Sequence, residues 1–169
     1  MNSQFLFEKL ESSEEYEKFM KENPKAYLCS GFFEISINNN SENKYHFDYY
    51  LPETGKTFSF QIEDGIKLIE LERNSEEKVL EEVSMKNNFN FSEIKDMIVN
   101  EMENRKIGNK IQKMLFSLQK IDGKDSLLGT IFISGFGILK VMIILPEIKI
   151  TEFEKKSLFD MVKFIGKKK

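Results

Sequence analysis

Cysteine, histidine and tryptophan are nearly missing from this chain. Its 169 residues include one Cys, one His and no Trp. A lone cysteine, Cys29, closes no internal disulfide, so a disulfide scaffold is excluded and a reducing, cytoplasmic compartment is the simpler expectation. With His46 as the single histidine there is no His pair, no Cys-x-x-Cys and no helical Glu-x-x-His. The usual zinc centres are therefore excluded, and neither metal nor cofactor is expected. Arginine is confined to Arg73 and Arg105, and the formal net charge is −3, which argues against a nucleic-acid binder. Long apolar runs are also missing. The stretch from Leu127 to Leu145 is broken by Gly129, Ser134, Gly135, Gly137 and Lys140, and reads as strands rather than a membrane helix. The first residues, MNSQFLFEKLESSEE, lack the basic and apolar regions of a signal peptide, so membrane insertion is not expected.

What is present is ordinary globular chemistry. Hydrophobic residues make up 40% and charged residues 31%, enough apolar surface for one compact domain or two very small ones. Phenylalanine is frequent, at 16 residues, a bias that a low-GC genome accounts for without any function.

Periodicity divides the chain. Ser12 and Glu15 form a capping box for a short helix with Tyr16, Phe19 and Met20 on one face, ended by Asn23-Pro24. Alternating residues then predict strands over Tyr27–Ile37 and Lys44–Leu51, a third carrying Phe58, Phe60 and Ile62, and a short one over Ile66–Leu71. From Glu70 to Glu82 six Glu face Arg73 and Lys78, which reads as an exposed helix or, in preference, a linker with helical tendency. After Asn90, Ile94, Met97, Ile98 and Met102 form a helical stripe. Gly108 interrupts it, and Ile111, Met114, Leu115 and Leu118 continue it to about Ile121, closed by Asp122-Gly123. Strands follow over Leu128–Ser134, Ile138–Leu145 and Ile148–Glu154, then a helix over Ser157–Ile165. Alternatively, Thr151 to Glu154 is a capping box and that last helix starts near Glu152.

The expected fold is therefore α+β, with antiparallel β-meanders and helices packed on one face. Residues 1–71 form a first helix-plus-meander unit, 72–90 a charged linker and 91–169 a second unit with a C-terminal helix. One compact domain overall is the other organisation open. Leu51-Pro52-Glu53 and Leu145-Pro146-Glu147 mark a turn in each half, so a tandem repeat of an α-β-β-β unit is one reading.

The hairpin from Tyr45 to Phe60, with its Glu53-Thr54-Gly55-Lys56 turn, resembles the PepSY-type module, although the second half lacks the Thr-Gly. The AYLCSGFF-like strand and the DYYLP-like turn are also similar to those of a family of small archaeal proteins, a likeness that brings no function. The PepSY resemblance implies protein association and restraint of peptidases, hence binding rather than catalysis. The element order is also similar to that of type III secretion chaperones, dimers that hold a partner segment extended.

The candidate residues each carry two readings. His46 and Asp48 lie two apart on a strand and share a face with Tyr50, a spacing that suits a general base oriented by a carboxylate. It equally suits the polar face of a half-buried strand. Cys29 is either a nucleophile near His46 or a small core residue. Gly135-Phe136-Gly137 has no Lys-Ser/Thr after it and is more simply a hairpin turn than a phosphate loop. The lysines from Lys149 to Lys169 suit nucleic acid or an anionic membrane, or more simply a solubilising tail. Met97, Met102 and Met114 suit either an adaptable surface or a core. Tyr45, Tyr49, Tyr50, Phe58 and Phe60 are the candidate binding residues, because an antiparallel sheet with aromatics on both faces needs a partner for its second face. The function these readings favour is a non-enzymatic protein-binding or regulatory module with a protein partner or a homodimer. A small apolar ligand is the alternative, and a hydrolase-like enzyme built on His46 and Asp48 the third reading.

Overall fold

The computed structural model describes residues 1–72 and 78–160. Among these residues three whole α-helices and eight strands follow in the order α1 (Ser3–Glu11), α2 (Glu14–Glu22), β1 (Tyr27–Ser36), β2 (Lys44–Leu51), β3 (Lys56–Ile62), β4 (Ile66–Leu71), α3 (Phe91–Asn104), β5 (Ile111–Ile121), β6 (Lys124–Ile133), β7 (Gly137–Ile144) and β8 (Lys149–Ser157). A 3-10 turn, Asn40–Glu42, lies between β1 and β2. The strands form one antiparallel sheet, ordered β4-β3-β2-β1-β5-β6-β7-β8. The fold is α+β, dominated by sheet.

Helix starts follow capping chemistry. Asn2, Ser13 and Asn90 each accept a hydrogen bond from a first-turn backbone N–H of α1, α2 and α3. The α2 cap is thus Ser13, one residue later than the Ser12–Glu15 box predicts, because Ser12 closes an unexpected first helix. That helix turns Leu6, Phe7 and Leu10 inward.

The largest departure from expectation is β5. The Ile111, Met114, Leu115, Leu118 spacing fits a helix, yet the segment is extended, with Met114, Phe116 and Leu118 buried and Leu115 and Ser117 half-exposed. Strand β5 pairs with both β1 and β6, so sheet hydrogen bonds on two sides override local spacing. Asp122-Gly123 does not end a helix. It is the two-residue turn of the β5–β6 hairpin, with φ of +50° and +78°, the pattern that favours Asp-Gly. Thr151 to Glu154 lies within β8 and starts no helix. Residues 158–160 are helical, and the rest of the helix expected to Ile165 lies outside the described residues.

The segment between the halves is a packed strap in its described part. Val83 and Phe89 are buried, the Val83 N–H donates to the Leu28 carbonyl, and Phe89 pairs with Ser3 through backbone and hydroxyl. The described residues 78–90 carry no helix, and Arg73 to Glu77 lie outside the described residues. The two Leu-Pro-Glu turns fall at different places, β2–β3 and β7–β8. They are therefore second and third turns of their four-stranded runs.

The buried core is aromatic. Phe7 of α1 stacks on Phe47 at 4.4 Å, Phe19 of α2 meets Phe60 at 5.2 Å, and Phe91 of α3 lies 5.1 Å from Phe33 and 6.3 Å from Phe116. Each such pair is worth about 0.5–1.5 kcal/mol beyond its buried area. Their strand partners belong to one alternation set, in which Ile62, Tyr45, Phe33, Phe116, Gly129 and Val141 stand opposite one another from strand to strand. Gly129 makes room in that row, since a Cβ there would come within 3.0 Å of the Phe116 ring.

Candidate functional site

Alternation along a strand sends every second side chain to the other face. On that face one row runs Gln61, His46, Phe32, Ser117, Leu128, Met142 across β3, β2, β1, β5, β6 and β7. The neighbouring row is Lys44, Glu34, Leu115, Thr130, Lys140. Phe32, Leu115, Leu128 and Met142 are half-exposed there, and with Lys140 and Glu152 they line a shallow groove of about 410 Å³. On this face Lys113 Nζ donates to Glu34 Oε1 at 2.6 Å, and Lys140 Nζ donates to the Thr130 hydroxyl at 3.0 Å.

At the β1–β2 end of the face lies the polar cluster. His46 Nδ1 is 3.0 Å from Asp48 Oδ1, and Ser30 Oγ donates to Asp48 Oδ2 at 2.9 Å. Both carboxylate oxygens are therefore engaged. The imidazole stacks on Phe32 at 5.1 Å, with its plane 20° from the ring. Cys29 is buried at a bulge in β1, where the register slips between Leu28 and Ser30, and its Sγ–H donates to the Asp48 carbonyl at 3.3 Å. The three catalytic candidates thus gather around Asp48. Cys29 faces a backbone oxygen there, and His46 has Asp48 as its hydrogen-bond partner among the described residues.

The five candidate binding aromatics separate. Tyr49 and Phe60 are 1% and 0% exposed, packed with Phe19 beneath α2, so neither is available to a partner. The reason is register: odd positions of β2 and even positions of β3 face the helices. Phe58 is half-buried against Phe19. Tyr50 lies on the opposite face, 5.6 Å from Tyr27. Tyr49 donates its hydroxyl to Met85 Sδ at 3.1 Å, and burial pushes its pKa far up.

Tyr45 borders a larger concavity of about 720 Å³, at the end of the sheet beside α1 and α3. Its floor includes Leu6, Ile35, Ile62, Phe91 and Met114, and Lys9 and Lys95 stand at its rim. Burial raises the Tyr45 pKa, partly offset by the hydrogen bond that Asn43 Nδ2 donates to its hydroxyl at 3.2 Å. Of the three methionines, Met97 and Met102 lie on α3 and Met114 on β5.

Sequence reasoning missed the open-face row. Its signal was Phe32 within β1, and Leu115 and Ser117 between the buried residues of β5, which helical spacing obscures. Among the described residues no group of three or more His, Cys, Asp or Glu is placed to hold a metal ion. Among them, too, no helix is long and apolar enough to cross a membrane.

Comparison with known proteins adds the fold alone. No family model matches the chain, and no curated protein does. Among solved structures it is similar to a "putative lipoprotein" from Clostridium difficile 630. The TM-score is 0.55 at 12% identity, over 85% of this chain and 91% of that one.

Proposed function

We propose that this chain is a non-enzymatic binding module whose sheet face opposite the helices receives a protein partner. One observation carries the reading: the half-exposed Phe32, Leu115, Leu128 and Met142 lie on adjoining strands β1, β5, β6 and β7, on the face where α1, α2 and α3 place no ring. Contiguous apolar side chains of this kind mark interaction surfaces. At the margin the Glu34–Lys113 ion pair and the Lys140–Thr130 hydrogen bond supply a polar rim. In this reading the helices cover one face, the partner covers the other, and the two four-stranded halves meet at β1 and β5 to make one platform. The PepSY-like hairpin fits the same role.

The test is affinity purification from the native host, comparing the natural protein with Leu128→Glu. A stoichiometric protein that the natural chain retains and the folded variant loses supports the reading. Equal retention by both sinks it, and a second copy of this chain as the retained species would make the partner a homodimer.

A second reading has its own observation. The cleft beside Tyr45 falls within the roughly 300–1,000 Å³ range of small-molecule sites and has an apolar floor. A small apolar ligand there would appear as a reproducible adduct in native mass spectrometry, lost in Met114→Lys, whereas an adduct-free protein from its host removes this reading.

A further inference from the structure

The β6–β7 turn carries a residue that its backbone disfavours. Gly135 and Phe136 take φ of +76° and +58°. The first suits glycine, but a bulky side chain in the left-handed region is an outlier, and Asn, Asp or Gly is the usual choice. Ile148 shares the conformation, with φ +55°, yet it packs against the buried core. Phe136 does not: it is 65% exposed. Its ring lies 5.5 Å from that of Phe159, itself 62% exposed, and the Leu158 N–H donates to the Phe136 carbonyl at 2.9 Å, holding the two segments together. Backbone strain at an exposed aromatic residue is a reason to look for function.

Lysines stand near this aromatic pair. Exposed Lys110 is bonded through its backbone to Ser134 at the base of the turn. Lys155 and Lys156 on β8 stand opposite Leu139 and Ile138 of β7. Lys155 Nζ reaches Asn109 at 3.4 Å, and Lys156 is 3.8 Å from Glu154.

We propose that this end of the sheet is a membrane-contact site, in which Phe136 and Phe159 enter the headgroup region of an anionic lipid surface while Lys110 and Lys155 face its phosphates. Aromatic side chains beside lysines are the chemistry of interfacial binding, where apolar burial and attraction to anionic headgroups add. A lipid surface fits better than a protein groove because the aromatics project from a turn, with cations on β8 and on the segment before β5. The site lies apart from the Phe32–Met142 row and does not depend on it.

Co-sedimentation of the full chain with phosphatidylglycerol–phosphatidylcholine vesicles, against phosphatidylcholine alone, tests this. The expected result is binding to the anionic vesicles at low salt that weakens as salt rises. Phe136→Gly should lower the partition coefficient about tenfold or more, from the lost burial of one ring. Because glycine relieves the backbone, the same variant should melt no lower than the natural protein, which separates a binding defect from a folding one. Lys155→Gln should cost about fivefold. Failure to sediment with anionic vesicles at low salt overturns the proposal. So does equal binding to neutral vesicles, equal binding by Phe136→Gly, or retention on a protein partner with no vesicle binding.

Discussion

The two halves of the sheet reach similar ends by different packing chemistry. On the helix side, β1–β3 present Phe33, Tyr45, Phe47, Tyr49, Phe58 and Phe60, which interlock with Phe7, Tyr16 and Phe19 of two nine-residue helices. Strands β6 and β7 instead present Leu127, Ile131, Leu139, Val141 and Ile143, all buried. A single fourteen-residue helix, α3, stands before that half. Aromatic packing is directional and needs relief, which Gly31 supplies: a Cβ there would come within 3.2 Å of both Phe33 and Phe47. Aliphatic packing of branched side chains needs only matched volumes. The aromatic half is therefore the one in which single substitutions should be felt most.

The sharpest way to break this comparison is truncation. Phe33→Ala should cost about 3–5 kcal/mol and Leu139→Ala about 2–5, each read from the urea midpoint. A larger loss at Leu139 would reverse the ranking of the halves. Next comes the strap between them. Asp125 Oδ2 accepts from the Ser84 N–H at 3.0 Å and from Asn87 Nδ2 at 2.8 Å, tying the strap to β6. Asp125→Ala leaves buried Asn87 without that acceptor and should cost about 1–3 kcal/mol in thermal or urea unfolding. An unchanged midpoint would show that the strap's other contacts, Val83 and Phe89 among them, hold it without Asp125. The smallest effect is confined to alkaline solution. Burial raises the Tyr49 pKa above the ordinary 10.0, so the folded state favours the neutral phenol. That stability is fully present below about pH 10 and declines as the pH rises further, when the unfolded chain ionises first. Tyr49→Phe should flatten the alkaline limb of the stability–pH curve, and an identical limb in the variant would place the ionisation elsewhere.

Much of the aromatic half was legible in the sequence. Strand β2 falls where alternation placed it, Lys44–Leu51, and β4 likewise at Ile66–Leu71, because exposed polar residues mark the opposite face. The stripe of Ile94, Met97, Ile98 and Met102 after Asn90 announced α3. The joint with the second half was not legible. Spacing within 111–121 fits a period of 3.6 as well as a period of 2, and what decides between them is pairing with β1, far away in the chain. The discarded clue was Asp122-Gly123, a hairpin dipeptide between alternating residues. At the candidate site, the shared face of His46 and Asp48 followed from their separation of two. The burial of Tyr49 and Phe60 did not, because α1 and α2 decide which face is covered.

The seam between β1 and β5 bears on how the chain is made. Every other strand pairing joins neighbours in sequence, so each can close soon after leaving the ribosome. Strand β1 is central in the finished sheet but is born an edge. Its Gly31–Ser36 side has no β5 to meet until residue 121 has emerged, an interval of seconds at ordinary synthesis rates. Throughout that interval a strand bearing Phe32, Phe33 and Ile35 offers open hydrogen-bonding groups to any other nascent chain. The vulnerable moment of this protein thus falls during its own translation, at a strand whose Gly31–Ser36 edge the mature molecule pairs with β5.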